Sequence, residues 1–153
     1  MQTERRSLLK KMAASFVGLM GIGLAAKAGT NSKPEKEVFN IVNDQDVPLF
    51  SGSTRYGGLI FIAGKGYHKE GDIKIHTDNV LKDLEEELKK AGSSMDKVLK
   101  VNVYLNDIND YQGMNDVYKG RFGKNPPVRT TVAVAKGGVP GNSLVEIDCI
   151  AGL

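Results

Sequence analysis

Thr77-Asp78-Asn79-Val80-Leu81-Lys82-Asp83-Leu84-Glu85-Glu86-Glu87-Leu88-Lys89-Lys90-Ala91-Gly92, followed by Leu99-Lys100-Val101-Asn102-Val103-Tyr104-Leu105-Asn106, changes its apolar period part-way along. In the first half Val80, Leu81, Leu84, Leu88 and Ala91 recur at helical spacing. Thr77 or Asp78 is placed to cap the start, and Gly92 to stop the end. Glu85 with Lys89, and Glu86 with Lys90, are i,i+4 pairs on the wet side, so this charge run reads as a solvated face. In the second half Leu99, Val101, Val103 and Leu105 alternate with polar neighbours, the pattern of a half-buried strand. Helix followed by strand in one short span points to a mixed α and β fold.

The same reading extends outward. Upstream, residues 38–42 read as a strand, and Leu59-Ile60-Phe61-Ile62-Ala63, bounded by glycines, as a buried one. Residues 65–73 form a charged, glycine-containing loop. Downstream, Tyr111, Met114, Val117, Tyr118 and Phe122 make a second helical stripe, ended by Gly123 and Pro126-Pro127. Residues 128–135 and 144–151 read as closing strands joined by the Gly/Pro-rich loop 137–142. The order β-β-α-β-α-β-β predicts an α+β domain, a single sheet with two helices on one face. So short a chain has nothing left to cover the other face.

Residues 1–28 read as something other than fold. Arg5-Arg6 precedes an uncharged, small-and-apolar run over residues 12–26, and Ala26-Lys27-Ala28 supplies a cleavage pattern before Gly29. This is the layout of an export signal, twin-arginine-like, which predicts a periplasmic protein. The run falls short of the roughly 20 residues of a permanent span, so no lasting membrane anchor is expected. Residues 29–37 follow as a polar linker and 38–153 as the domain. Of the chain's 153 residues, 21 are Lys or Arg and 18 Asp or Glu. Residues 1–28 hold five of the basic ones and one acid, so the remainder carries a formal charge of −1. Its lack of basic excess argues against nucleic acid as a partner. The lone Cys149 excludes an intrachain disulfide framework.

Common catalytic signatures are missing: no P-loop, dinucleotide fingerprint, nucleophile elbow or H-E-x-x-H. His68 and His76 read as solvated side chains, and no metal or other cofactor is expected. Cys149 alternates with Val145 and Ile147, so a buried, inert thiol is expected. The informative stretches are Pro127-Val128-Arg129-Thr130-Thr131-Val132 and Leu144-Val145-Glu146-Ile147-Asp148. If their strands pair through the loop, Arg129 and Glu146 approach at a strand end. Such a pair reads in two ways: an ion pair on a sheet face, or a carboxylate-binding fork beside a proton-handling group.

P-x-R followed by V-E-I resembles the signature of the reactive-intermediate deaminase (YjgF-type, endoribonuclease L-PSP-like) family. The likeness covers roughly residues 40–151. It includes Gly58-Leu59-Ile60-Phe61-Ile62-Ala63-Gly64, Ala91-Gly92-Ser93-Ser94-Met95, Asn106-Asp107-Ile108-Asn109-Asp110-Tyr111 and Met114-Asn115-Asp116-Val117-Tyr118. The resemblance implies a chorismate-mutase-like subunit assembled as a homotrimer, its open sheet faces lining a central barrel. It further implies clefts between subunits that bind small carboxylates, and hydrolysis of 2-imino acids of the 2-aminoacrylate type to 2-keto acids and ammonia.

Carried over by position, Arg129 is the carboxylate-binding arginine and Glu146 the glutamate that positions water. Asn115, Gly64, Thr131 and Phe50 fall at positions lining the cleft. Three of this chain's residues depart from the family pattern: Phe50 stands for a tyrosine, Ala63 for a serine and Thr131 for a cysteine. The resemblance therefore implies an exported imine deaminase. The alternatives are a non-catalytic carboxylate binder and, against the charge balance, an RNA-cutting enzyme.

Overall fold

The computed structural model describes residues 33–153. Residues 1–28, read from the sequence as an export signal, and the first part of the expected linker lie outside the described residues. No helix among the described residues is long and apolar enough to cross a membrane. Six strands and two α-helices follow in the order β1 (Glu37–Asp44), β2 (Val47–Tyr56), β3 (Leu59–Gly66), α1 (Ile73–Lys90), β4 (Val98–Leu105), α2 (Tyr111–Tyr118), β5 (Val128–Ala133) and β6 (Val145–Gly152). They form one mixed sheet in the order β1-β2-β3-β6-β4-β5, as the predicted α+β class requires.

The sequence reading lacked β2. Pro48, Gly52 and the serines around it hide any alternation, and the strand exists through its neighbours instead. Gln45 and Asp46, both at positive φ, make the two-residue turn from β1. Only residues 53–56 of β2 pair with β3, so the part carrying Pro48 pairs on one side alone, where a missing N–H does no harm. The tip of this hairpin projects beyond the sheet and exposes Ile41, Val42, Val47, Leu49 and Phe50.

Helix α1 starts earlier than Thr77. Asp72 is the cap, its carboxylate accepting from the Ile75 N–H at 2.9 Å, while the Thr77 hydroxyl donates to the Ile73 carbonyl inside the helix. The C-terminal stop at Gly92, with φ of 89°, is as read. Val80, Leu81, Leu84 and Leu88 are fully buried against Ile60, Val101, Val103 and Ile147, which makes one core between the helices and one sheet face. Glu87 shares this buried side rather than the wet one. It accepts from Asn40 Nδ2 at 2.6 Å, Ser53 Oγ at 3.0 Å and Lys65 Nζ at 3.2 Å, tying β1, β2 and β3 to the helix.

The expected pairing of the last two strands is overturned. β5 runs parallel to β4, and β4 lies between β5 and β6, antiparallel to the latter. The cause is α2, which serves as the crossover that a parallel β4–β5 pair needs. No element among the described residues lies on the opposite sheet face, where Leu59, Phe61, Val128 and Val132 are exposed.

Candidate active site

Strand β5 is the sheet's edge, and its pleat sends Arg129 and Thr131 to the helix side. There α2 receives the arginine. Its guanidinium lies 4.6 Å from the Tyr118 ring centroid and 5.8 Å from that of Tyr111. Nη2 donates to Tyr111 Oη at 3.3 Å, and Nη1 approaches Met114 Sδ at 4.0 Å. Contacts of this kind hold a cation in place without neutralising it. The other two arginines among the described residues are paired, Arg55 with Glu37 and Arg121 with Asp78. Arg129 alone of the three has no carboxylate within ion-pair distance among the described residues, which removes the ion-pair reading with Glu146. Burial pushes the Tyr118 phenol up to about 12, so it stays neutral beneath the guanidinium. The Thr131 hydroxyl beside them is buried without a hydrogen-bond partner.

Glu146 sits elsewhere. It projects from β6 to the open face, opposite Tyr104 of β4, while Arg129 lies opposite Val101. Within one chain the two residues are therefore on opposite faces and two strands apart. What the fold does bring to Glu146 is Gly64. A β-bulge in β3 between Ile62 and Lys65 leaves the glycine beneath the glutamate, where a Cβ would fall 2.7 Å from Glu146 Cδ. Glu146 and Tyr104 then open into a cavity of about 290 Å3 walled by Val134, Gly138, Val139 and Pro140. Along the same face Asn102 Nδ2 donates to Asp148 Oδ1 at 2.8 Å. Burial, followed by the carboxylates of Asp148 and Glu146, raises the Tyr104 phenol above its ordinary value.

The predicted residues thus fall into three groups. Arg129 and Thr131 stand at the β5 edge beside α2, which also carries half-buried Asn115 next to Met114. Glu146 and Gly64 share the central strands, and Phe50 sits exposed on the projecting hairpin at the other end of the sheet. The aromatic cradle of Tyr111, Met114 and Tyr118 was legible only as an apolar stripe. Their i, i+3, i+7 spacing marks one helix face, and nothing local says that an arginine lies on it.

The histidines are not both solvated as read: His76 is buried, its Nδ1 accepting from the Leu144 N–H at 3.2 Å, and His68 Nδ1 meets the Gly141 carbonyl at 2.9 Å. Both act as pegs for the loop that walls the cavity. Cys149 is buried as expected, and burial pushes its thiol up to about 12, far from a reactive thiolate. No group of three or more His, Cys, Asp or Glu suited to a metal ion occurs among the described residues.

Residues 46–153 match the family model described as Endoribonuclease L-PSP. A RutC family protein of Pyrococcus abyssi is 38% identical over 109 residues, covering 67% of this chain and 84% of that protein. The chloroplastic Reactive Intermediate Deaminase A of Arabidopsis thaliana is 31% identical over 111 residues, covering 68% of this chain and 58% of the plant protein. Among solved structures, a YjgF family member from Neisseria meningitidis superposes with a TM-score of 0.70 at 26% identity, covering 79% of this chain and 97% of that one. With a match over most of its length and the fold in common, the chain belongs to the YjgF-type, endoribonuclease L-PSP family.

Proposed function

We propose that this protein is an exported imine deaminase, hydrolysing 2-imino acids of the 2-aminoacrylate type to 2-keto acids and ammonia. The observation that carries the reading is Arg129. A guanidinium fixed by two aromatic rings on a rigid strand, with no acidic partner among the described residues, is a preformed fork for a small carboxylate. The Thr131 hydroxyl on the same face of β5 is buried without a partner, a polar group left unsatisfied next to the guanidinium. A relative at 31% identity bears the name Reactive Intermediate Deaminase A, which supports this chemistry.

The placement of the three groups supports an assembly of several copies. Glu146 cannot reach a ligand on Arg129 of its own chain, because a sheet lies between them. A cyclic, head-to-tail oligomer brings opposite sheet edges of neighbouring copies together. In a homotrimer of that kind the apolar hairpin with Phe50, together with Gly64 and Glu146, of one copy closes over Arg129, Thr131 and Asn115 of the next. The same closure turns the exposed apolar sheet face inward.

In such a cleft Arg129 takes the substrate carboxylate and Glu146 orients a water molecule. The water oxygen bonds to the imine carbon as one of its protons passes to Glu146, and the C=N electrons move to nitrogen, which takes that proton back from Glu146 to give a neutral carbinolamine. The carbinolamine hydroxyl then passes its proton, by way of the Glu146 carboxylate, to the amino nitrogen, the C–N bond breaks with its electrons leaving on nitrogen, and ammonia departs from the new 2-keto acid. Imines hydrolyse in water unaided, so positioning supplies most of the required acceleration. Cutting RNA, the activity in the family's description, lacks support in a chain whose residues 29–153 carry a formal charge of −1.

The test is release of keto acid from freshly generated 2-iminopropanoate. The proposal expects faster release than in buffer. A protein that binds pyruvate yet leaves the imine at its buffer rate removes the catalytic claim. Export is tested by mass spectrometry of protein from its native compartment, with Gly29 expected at or near the N-terminus and full-length cytoplasmic chain contradicting it.

A further inference from the structure

Of the residues walling the cavity at Glu146, only one other has a polar side chain, Tyr104. The two are direct cross-strand partners of β4 and β6, which sets their Cβ atoms roughly 4.5–5.5 Å apart on one sheet face. Val134, Val139 and Pro140 are apolar, and Gly138 offers no side chain. A polar atom brought into this space therefore has two side chains to meet, the carboxylate and the phenol.

A second carboxylate stands diagonally across from the phenol. Asp148 lies two residues along β6 from Glu146, on the same face, and is itself held by Asn102 Nδ2 at 2.8 Å. Tyr104 is thus flanked by two carboxylates on the strand facing it. An ionised carboxylate only accepts, so a phenol between two of them keeps its proton and offers its lone pairs to whatever else enters. The raised phenol, with burial as the first cause and Asp148 as the second, agrees with this geometry.

We propose that Tyr104 is a positioning residue of this site: the phenol keeps its proton and points it at Asp148 as a hydrogen-bond donor, and its oxygen and the Glu146 carboxylate together fix the attacking water by accepting one hydrogen bond each. This rests on the hydrolytic reading above. A water held by two acceptors turns its oxygen lone pairs to the side away from both, toward the imine carbon. One of its protons then passes to Glu146 as the carbon–oxygen bond forms, and the other stays on oxygen, hydrogen-bonded to the phenol. Nothing is transferred to or from Tyr104. Glu146 alone would leave the water free to swing about a single hydrogen bond. That is the kind of misplacement for which small errors in geometry cost large factors in rate.

The experiment is Tyr104→Phe in the full chain, which keeps the ring and removes one oxygen. Turnover of 2-iminopropanoate should fall about tenfold in kcat, while KM and the Kd for pyruvate, both set by Arg129, change less than about twofold. A merely structural role would shift the unfolding midpoint and leave that kcat-against-KM split unmoved. Asp148→Asn should lower kcat by a smaller factor, because a neutral amide is the weaker acceptor. Tyr104→Phe turning over like the parent overturns the assignment. Should the parent bind pyruvate but leave the imine untouched, the hydrolytic reading falls. Protein carrying 13C-labelled tyrosine then decides on Tyr104, whose signal is identified by its loss in Tyr104→Phe. Movement of that signal on adding pyruvate keeps Tyr104 at the ligand, and an unmoved signal removes it.

Discussion

At residue 64 the site has room for a hydrogen atom and little else, since a Cβ there meets the Glu146 side chain. The clash is with the far end of a flexible side chain, so Gly64→Ala should leave stability within about 1 kcal/mol and displace the carboxylate instead. The expected result is lower kcat with unchanged pyruvate affinity, read by steady-state kinetics and titration calorimetry. Arg129 answers to a different measurement. Losing a charge-assisted, forked contact should cost Arg129→Ala about 2–3 kcal/mol in pyruvate binding, and Arg129→Lys should recover only part of it, because a point charge cannot reproduce the fork.

How much of this was legible differs by residue. Arg129, Thr131 and Glu146 stood out through the P-x-R and V-E-I likeness, while the alternation of their strands gave only the face each shares with its own neighbours. The spacing along the chain hid that the two faces belong to opposite sides of the sheet, because it says nothing of the strand between them. Tyr104 was visible only as a polar partner in an alternating strand. Its neighbour Glu146 is distant in sequence, and only the β4–β6 register joins them.

Among elements, the β1–β2 hairpin depends on one buried carboxylate. Glu87 on α1 draws in Asn40, Ser53 and Lys65, and Gly52 lets them come close, since a Cβ there would crowd Asn40 Cβ at 3.0 Å and Glu87 Oε1 at 3.2 Å. Burial pushes the Glu87 carboxyl up, but the hydrogen bonds from Asn40 and Ser53 and the Lys65 charge outweigh it and hold the group below its usual value. A carboxylate depressed in the folded state contributes stability that is present above its unfolded value and lost as pH falls through the folded one. Stability should therefore drop on acidification below the ordinary carboxylate range, and Glu87→Gln should blunt that drop in denaturant titrations run across pH. Glu87→Ala, which leaves Lys65 and Asn40 without their acceptor, should cost about 3 kcal/mol at neutral pH. The apolar period of α1 was plain in its leucines. Glu87 escaped because it stands beside Glu85 and Glu86 in a run that otherwise faces water. β2 escaped for a related reason: a strand held by β1 along its length and by β3 over residues 53–56 needs no alternation of its own.

At the scale of the molecule, the sheet face left open among the described residues was expected from the length of the domain, since its two helices cover one side only. Light scattering at micromolar concentration should give a trimer, and a stable monomer would leave the exposed hairpin and sheet face unexplained. The central claim is narrower: a working cleft takes Arg129 from one copy and Glu146 from another. Arg129→Ala and Glu146→Gln proteins, each inactive alone, are unfolded together in equal amounts, refolded and assayed for keto-acid release from 2-iminopropanoate. If neighbouring copies share each site, random assembly rebuilds about a quarter of the clefts with both residues intact, so activity should return to about a quarter of the parent's. A refolded mixture of trimers as inactive as either variant alone would contradict the account.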